Sequence, residues 1–368
     1  MANVMEYKCP RCGGILEFDS KLQKMKCPYC DSIFTVEEMQ KKDDVLGQKP
    51  PIQKPGGAAA RPAAAQATQQ AAQDDMSGMG VYTCNSCGGE LVADENTAAT
   101  HCPFCGNPVM LTGRLSGALK PDLVIPFQKT KEDAKAALRE FTAGKKLLPK
   151  LFKSENHIDE VKGVYVPFWL YDAQANAQLR FEGVQTRIWT AGGYQYTERR
   201  YFDVDRAGSL LFDNVPVDGS AKMPADLMES LEPYDLSQAK PFQTAYLSGY
   251  LADKYDVNSD DSAARADERI KRSATDAIAS TVSGYDGLTS MGGDVQINRA
   301  KPKYALYPVW MLTTTYQNKQ YRFAMNGQTG KFVGTLPVDN KAYWLYRLLY
   351  TGIIGVVAWA ILHFLFGF

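Results

Sequence analysis

All eight cysteines of this 368-residue chain fall into four pairs of the form C-x2-C. The pairs form two units with the same spacing, because fourteen residues separate the inner cysteines of each unit. The first unit contains Cys9, Cys12, Cys27 and Cys30, and the second contains Cys84, Cys87, Cys102 and Cys105. A C-x2-C pair lets two thiolates approach one cation from a single tight turn, and two such turns joined by a hairpin complete a tetrahedral site. The spacing therefore predicts two small tetrathiolate ribbons.

The metal expected in these ribbons is Zn2+, two ions in all, with a structural role. Four protein ligands fill the zinc shell and leave no position for the water that a catalytic zinc needs. Each ribbon is too small to bury much apolar surface, so metal binding of about 10 to 16 kcal/mol would supply its folding free energy. Tetrathiolate iron is the alternative metal, and a disulfide framework is the alternative to any metal.

The residues around the cysteines also favour metal-binding turns. Glycine follows cysteine closely at five positions, which are Gly13, Gly14, Gly88, Gly89 and Gly106. At such positions the chain needs a positive φ or a close approach of the backbone, and glycine allows both. His101 precedes Cys102, and we expect it to be a bystander because four sulfurs already complete the shell.

The last twenty-one residues, 348–368, contain no Asp, Glu, Lys or Arg. As a helix at about 1.5 Å per residue they would span about 31 Å, which matches the hydrocarbon core of a bilayer. A buried core helix is the alternative, but a core helix of this length normally keeps a polar stripe. Lys341 and Arg347 flank the N-terminal side of this segment, so the positive-inside rule puts that side in the cytoplasm.

Metal thiolates agree with that orientation, because they persist in a reducing cytosol. We therefore expect a single-pass, tail-anchored protein of the cell membrane, bound to membrane lipid through its C-terminal helix, with its N-terminal bulk in the cytoplasm. Its predicted parts are ribbon 1 at 1–42, a flexible Ala/Gln/Pro linker at 43–80, ribbon 2 at 81–113, an α+β cytosolic body at 121–340 and a transmembrane helix at 348–368. The linker has a root-mean-square span of about 35 Å, so ribbon 1 is predicted to be a mobile module on a tether.

Helix and hairpin signals within the body indicate the α+β class. Thr130 is a candidate N-cap with Asp133 reaching back to it, and Gly144 is a candidate stop for that helix. A second, alanine-rich helix is predicted from about 259 to 282. Most of the intervening sequence has strand patterns, with a hairpin turn at Gly192 and Gly193.

An internal repeat also occurs in the body. The sequence VPFWL around Trp169 is followed by an Arg-Phe pair twelve residues on, at Phe181, and YPVWM around Trp310 is followed by one at Phe323. Each copy is predicted to be a strand, a turn and a return strand with a buried Trp, which suggests two related β-hairpins from the duplication of a small α+β unit. Chance similarity between aromatic-rich strands is the alternative.

Catalytic signatures are weak, so no catalytic residue is assigned. The three histidines are His101 in ribbon 2, His157 in a charged stretch and His363 in the predicted span, and metal accounts for every cysteine. The GQTGK sequence at Gly327 lacks the spacing of a phosphate-binding loop. Nucleic acid is disfavoured as a partner because the net charge is zero and the segment 81–113 contains no Lys or Arg.

Several longer motifs resemble a known bacterial family. They are CPRCGG…CPYC, CNSCGGE…HCPFCGN, DLVIPFQKTKEDAKAAL, GKKLLPKLF, KGVYVPFWLYDA and NGQTGKFVG. Together they resemble the transcription-factor-IIB-type zinc-ribbon membrane proteins, some of which carry names borrowed from a replication-restart helicase. The helicase nucleotide motif is absent here, so that activity is not carried over. The resemblance implies a non-enzymatic membrane component found with flotillin-like (SPFH) scaffolds and phage-shock-type envelope-stress proteins.

The sequence therefore predicts a membrane-anchored zinc-ribbon adaptor that presents docking surfaces to protein partners at the cytoplasmic face of the membrane. It predicts neither an enzyme nor a small-molecule substrate. A membrane-tethered protein associated with nucleic acid is the alternative function, and an enzyme acting at the lipid surface is a more distant one.

Overall fold

The computed structural model describes residues 4–39, 79–84, 86–87, 90–103, 105, 107–111, 119–149, 161–317 and 319–367. Within them the chain has the predicted α+β class, with two four-cysteine ribbons, a sheet-rich body and one C-terminal apolar helix. The predicted linker at 43–80 lies outside the described residues except for Met79 and Gly80, which begin a strand.

The two ribbons consist of short strands. Ribbon 1 contains β1 (Val4–Met5), β2 (Glu17–Asp19), β3 (Lys24–Lys26) and β4 (Ile33–Phe34), and ribbon 2 contains β5 (Met79–Thr83), β6 (Glu90–Asp94), β7 (Thr97–His101) and β8 (Pro108–Leu111). Strands β2, β3 and β4 form one antiparallel sheet, and β5 pairs with β6. Strand β1 pairs with β8, so the first strand of ribbon 1 extends the sheet of ribbon 2.

The body contains one large sheet with helices packed on it. Its strands are β9 (Leu123–Val124), β10 (Lys162–Ala191), β11 (Tyr194–Asp218), β12 (Lys240–Pro241), β13 (Leu251–Asp253), β14 (Gly287–Arg299), β15 (Lys303–Tyr316), β16 (Lys319–Asn326) and β17 (Phe332–Gly334). Its α-helices are α1 (Lys131–Thr142), α2 (Ala225–Ser230) and α3 (Ser259–Ser280), and α4 (Asn340–Phe366) follows the body. The main strand order is β1-β8-β7-β13-β10-β15-β16-β17, so ribbon 2 continues the sheet of the body.

Capping residues fix the starts of the two long body helices. Thr130 and Asp133 form the predicted capping box of α1, and Gly144 after it has a φ of 69°. Asn258 caps α3 through the amide of Asp261. Helix α3 confirms the predicted alanine-rich helix and buries a stripe that includes Ala266, Ala274 and Ile278.

The two copies of the internal repeat pair with each other. Strands β10 and β15 are antiparallel, and Val166 of the first copy lies opposite Tyr307 of the second. Each strand also has a short parallel neighbour at the equivalent position, since β13 pairs with β10 and β9 pairs with β15. A long helix follows each of these short strands. The two repeat units, β9-α1-β10 and β13-α3-β15, are therefore related by a local two-fold axis through the centre of the sheet.

The two repeat tryptophans make equivalent contacts across this axis. Trp169 Nε1 donates a hydrogen bond of 2.9 Å to the carbonyl of Val257, just before the cap of α3. Trp310 Nε1 donates one of 3.0 Å to the carbonyl of Lys129, just before the cap of α1. Each unit therefore holds the start of the helix of the other, which supports duplication over chance similarity.

The two predicted hairpins are present, but the first is much longer than expected. In the second unit the chain turns back between β15 and β16, as predicted, and Phe323 pairs with Leu312. In the first unit there is no turn between Trp169 and Phe181, because β10 is continuous over 162–191. Its turn is the predicted pair Gly192 and Gly193, both with positive φ, and its return strand is β11.

The distal part of β10 forms a three-stranded arm with β11 and β14. From Ala173 to Ala191 β10 pairs with β11, and from Ala173 to Val184 it also pairs with β14. Helix α3 covers one face of this arm. The nineteen residues from Ala173 to Ala191 correspond to roughly 60 Å at about 3.3 Å per residue, so the arm projects far beyond the body.

Ribbon 1 packs against the body, which corrects its prediction as a mobile module. Leu16 accepts a buried hydrogen bond of 2.6 Å from the hydroxyl of Ser248, and the amide of Phe18 donates to the carbonyl of Ser248. The ring of Phe18 packs edge-on against Tyr246, and both belong to the largest buried cluster of the described residues. The tether length could not predict this, because docking depends on apolar side chains within ribbon 1 itself.

Helix α4 is long and apolar enough to span a membrane. It begins at Asn340, eight residues before the predicted start, because Asp339 caps it through the amides of Lys341 and Ala342. None of its most apolar window is buried against the rest of the protein. The helix therefore contains the predicted span as far as Phe366, together with the charged and aromatic segment before it.

Candidate metal centres

The cysteine turns are built by local backbone hydrogen bonds. In ribbon 1 the amide of Cys9 donates to Gly14 and the amide of Gly13 donates back to Cys9, and the amide of Cys27 donates to Ser32. In ribbon 2 the amide of Cys102 donates to Asn107 in the same way as Cys27 to Ser32. These turns aim both thiols of a C-x2-C pair at one point.

The glycine roles in ribbon 1 agree with the sequence prediction. Gly13 has a φ of 76°, which an L side chain rarely adopts. A Cβ on Gly14 would lie 2.5 Å from the ring of Tyr29, so this position requires close approach. Asp31 follows Cys30 with a φ of 55°, and there an aspartate provides the left-handed residue. Gly88, Gly89 and Gly106 lie outside the described residues.

All eight predicted ligands are brought together, four in each ribbon. The sulfur atoms of each set lie within 4.8 Å of one another, and each set has two buried and two exposed cysteines. Sγ–Sγ distances are 3.6 Å for Cys9–Cys30, 3.5 Å for Cys12–Cys27, 3.8 Å for Cys84–Cys105 and 3.7 Å for Cys87–Cys102.

These distances fit one tetrahedral metal ion per ribbon. Zn–S bonds of about 2.3 Å at tetrahedral angles place neighbouring sulfurs about 3.8 Å apart. A disulfide needs about 2.05 Å, and all eight cysteines are free, so the disulfide alternative is wrong for this structure. The donor set fits Zn2+, which prefers four thiolates in a closed site, and tetrathiolate iron has the same donor set.

The thiols of these centres differ in acidity. Hydrogen bonds with Ser32 lower the pKa of Cys30 to about 6. Although the amide of Gly14 acts to lower it, the pKa of Cys12 is raised to about 12 by hydrogen bonds with Cys30 and Cys27. Burial raises the pKa of Cys84 to about 12. Binding of one cation by all four sulfurs of a set would therefore release protons from the least acidic thiols.

Among the described residues, histidine contributes no ligand to either four-cysteine set. His101 lines a cleft between the ribbons and the body, and burial lowers its pKa. His363 stacks on Trp359 within α4, and His157 lies outside the described residues. The predicted bystander role of His101 is consistent with the two four-sulfur sets.

A contact from ribbon 1 reaches the second metal centre. Glu6, which follows β1, accepts a hydrogen bond of 2.8 Å from the hydroxyl of Ser86 and lies 3.7 Å from the sulfur of Cys84. Together with the pairing of β1 and β8, this contact joins the two ribbons. No pattern in the sequence indicates this contact, because Glu6 and Cys84 are far apart in the chain.

The GQTGK segment, which lacks the spacing of a phosphate-binding loop, is a tight turn. The side chain of Asn326 accepts hydrogen bonds from the amides of Gln328 and Thr329, and donates to the carbonyls of Leu231 and Pro233. These bonds explain the conformation of the turn without a phosphate ligand.

Two four-thiolate centres, a duplicated sheet-rich body and one helix of membrane-spanning length define the class of this protein: a zinc-ribbon-like α+β protein with a candidate C-terminal membrane anchor. The uncharacterized protein YdjG of Bacillus subtilis (strain 168) is 34% identical over 354 residues, which cover 96% of this chain and 95% of YdjG. The chain belongs to the same family as YdjG. No family model and no solved structure matches the chain with significance.

Proposed function

We propose that the protein is a non-enzymatic, single-pass adaptor of the cell membrane, with structural Zn2+ in both ribbons and its N-terminal bulk in the cytoplasm. An exposed apolar cluster at the tip of the arm is the main support for this proposal. Four large apolar side chains are exposed there: Ile188 by 58%, Trp189 by 41%, Tyr194 by 72% and Tyr196 by 46%. Such a cluster on a folded domain is typical of a surface that binds another protein.

The tip has a stacked aromatic pair and is basic, which suits a protein partner with an acidic and apolar surface. Trp189 stacks on Tyr196 with ring centroids 5.5 Å apart, and the guanidinium of Arg187 lies 5.7 Å from the Trp189 ring. Arg199 adds a second exposed cation, while Arg200 pairs with Glu198. By resemblance, flotillin-like (SPFH) and phage-shock-type proteins are the candidate partners.

The architecture supports membrane anchoring at the opposite end of the body. Strand β17 leads into α4. The register through β16 and β15 places β17 level with the start of β10, near Lys162, whereas the tip lies at the other end of β10, at Ala191. The apolar side chains of α4 are exposed along its length, and lipid would cover them. The arm would then hold its tip far from the bilayer, where other proteins can reach it.

Site-specific crosslinking in native membranes tests this proposal. A photoreactive amino acid at Tyr194 should capture a small recurring set of proteins, identified by mass spectrometry. The matched control position is Asn176, on the exposed polar face of the same arm. Capture at Tyr194 should fall when Trp189 and Tyr196 are both replaced by serine. Equal capture at both positions, or recovery of nucleic acid in place of protein, would contradict the adaptor.

A further inference from the structure

A groove runs along the free edge of the main sheet at β17. Its volume is about 680 Å3. Phe141 of α1 lines one side, Leu227 and Ser230 of α2 line the other, and β17 itself lies between them. Within the described part of the chain, β17 pairs with β16 alone and no strand covers its outer edge.

The register shows which backbone groups face the groove. Asn326 donates a 2.9 Å hydrogen bond to Lys331, so this opposed pair is a hydrogen-bonded one. Hydrogen-bonded and non-bonded pairs alternate along an antiparallel ladder, so Val333 bonds inward to Ala324. Phe332 and Gly334 therefore direct their N–H and C=O groups outward. Such an edge is a template for one more strand.

The two walls of the groove match the alternation of an added strand. Phe332 packs on the α1 side of the sheet, with its ring centroid 5.0 Å from that of Phe141. Val333 packs on the opposite side, in the cluster that includes Leu227. Successive side chains of an extended peptide point to opposite faces, so its alternate apolar residues would meet Phe141 and Leu227 in turn.

Charge adds a further constraint on the ligand. Arg322 lines the groove, and its Nη2 donates a long hydrogen bond of 3.5 Å to Oε1 of Gln320. Asp226 also lines the groove, but no ion pair joins Arg322 to it or to another carboxylate of the described residues. A half-buried guanidinium in this setting fits a carboxylate supplied by the ligand.

We propose that this groove binds an extended segment of a protein partner by β-strand addition to β17, and that the segment has alternating apolar residues and one acidic residue opposite Arg322. Five residues separate Gly334 from the start of α4 at Asn340, so the two are at most about 22 Å apart. The groove therefore lies close to α4, and the protein that supplies the bound segment would also lie close to α4. This site goes beyond the proposed arm-tip surface, since it lies at the other end of the sheet and either can fail alone.

Peptide selection on the full-length protein in nanodiscs tests the groove. A phage library of random ten-residue peptides should enrich sequences with alternating apolar residues and one Asp or Glu. Binding of the most enriched peptide is then measured by fluorescence anisotropy. Ser230→Trp fills the groove and Arg322→Glu reverses its charge, so each should weaken binding at least about tenfold. Ser230→Ala is the matched control and should bind as the wild type does.

A second control uses the unaltered protein and a modified peptide. Methylation of alternate backbone nitrogens removes the donors that β-addition needs, and should also weaken binding at least about tenfold. Absence of enrichment, equal binding of the methylated peptide, or insensitivity to Arg322→Glu would overturn the proposal. If Ser230→Trp instead converts a dimer into a monomer without peptide, as measured by mass photometry, the occupant is a second copy and the proposal is wrong.

Discussion

Trp169 and Trp310 show how single residues hold the duplicated body together. Each is almost fully buried, and each donates its Nε1 hydrogen to a carbonyl just before a helix of the other unit. Phenylalanine keeps most of the ring volume but leaves that carbonyl without its donor. We expect Trp169→Phe and Trp310→Phe each to lower the free energy of unfolding by about 1 to 2 kcal/mol. Urea unfolding of the full chain in detergent measures this.

The matched control for this pair is Trp189→Phe at the exposed arm tip. Its change should stay within about 0.5 kcal/mol, because it removes neither buried volume nor a buried hydrogen bond. If only one of the two repeat tryptophans mattered, the units would not be equivalent in energy, although they are equivalent in geometry.

At the residue scale, the sequence predicts whatever depends on near neighbours. The cysteine sets, the φ of Gly13 and the capping of α1 by Thr130 each depend on a few adjacent residues, and all are confirmed. The left-handed residue Asp31 was not predicted, because aspartate adopts many other conformations equally well. Glu6 beside Cys84 was not predictable either, since only the folded sheet brings them together.

Among the elements, strand β10 exposes the limit of local turn signals. Its alternation of buried and exposed residues continues from Ala173 to Phe181, which is the period of an uninterrupted strand. In the second repeat, β15 ends at Tyr316 and a turn follows. The analogy between the two repeats therefore favoured a turn in the corresponding part of β10. The length of β10 is set by its partners β11, β14 and α3, which lie far along the chain.

Small side chains allow α3 to lie close against the arm. Ala274 is fully buried, and it belongs to the same buried cluster as Ala173 and Ala175 of β10. Leucine at this position cannot fit without moving the helix from the sheet. We expect Ala274→Leu to destabilise the protein by about 1 to 3 kcal/mol. Thermal unfolding followed by circular dichroism checks this.

The control is Ala264→Leu on the exposed side of the same helix. It changes the same residue type with similar helix propensity, so its effect should be close to zero. Equal loss of stability in both variants would mean that α3 does not depend on close packing against the arm.

At the scale of the whole molecule, ribbon 1 is joined to the body by contacts between residues that are far apart in the sequence. Leu16 and Ser248 are 232 residues apart in the chain and form a buried hydrogen bond. The composition of the linker carries no information about such a contact. The two clusters were predictable from cysteine spacing and the α+β class from helix and hairpin signals. The docking of ribbon 1 required knowledge of which apolar side chains of the body remain available to it.

Metal binding in ribbon 1 should therefore control a surface of the body. Cys27 is fully buried, and serine at this position removes one of four ligands. Because binding and folding of such ribbons are coupled, we expect Cys27→Ser to reduce the metal content from two ions per chain to one and to release ribbon 1. The amide of Phe18, which donates to Ser248, should then lose its protection from hydrogen exchange.

The matched variant is Cys102→Ser in ribbon 2. It should also remove one metal ion, but the loss of protection should centre on β7 and β8, while the Phe18 amide stays protected. Elemental analysis gives the metal content, and hydrogen exchange with mass spectrometry gives the protection. If Cys27→Ser lost its metal while Phe18 remained protected, ribbon 1 would hold its place on the body without the ion, since the contacts of Leu16 and Phe18 alone would be sufficient.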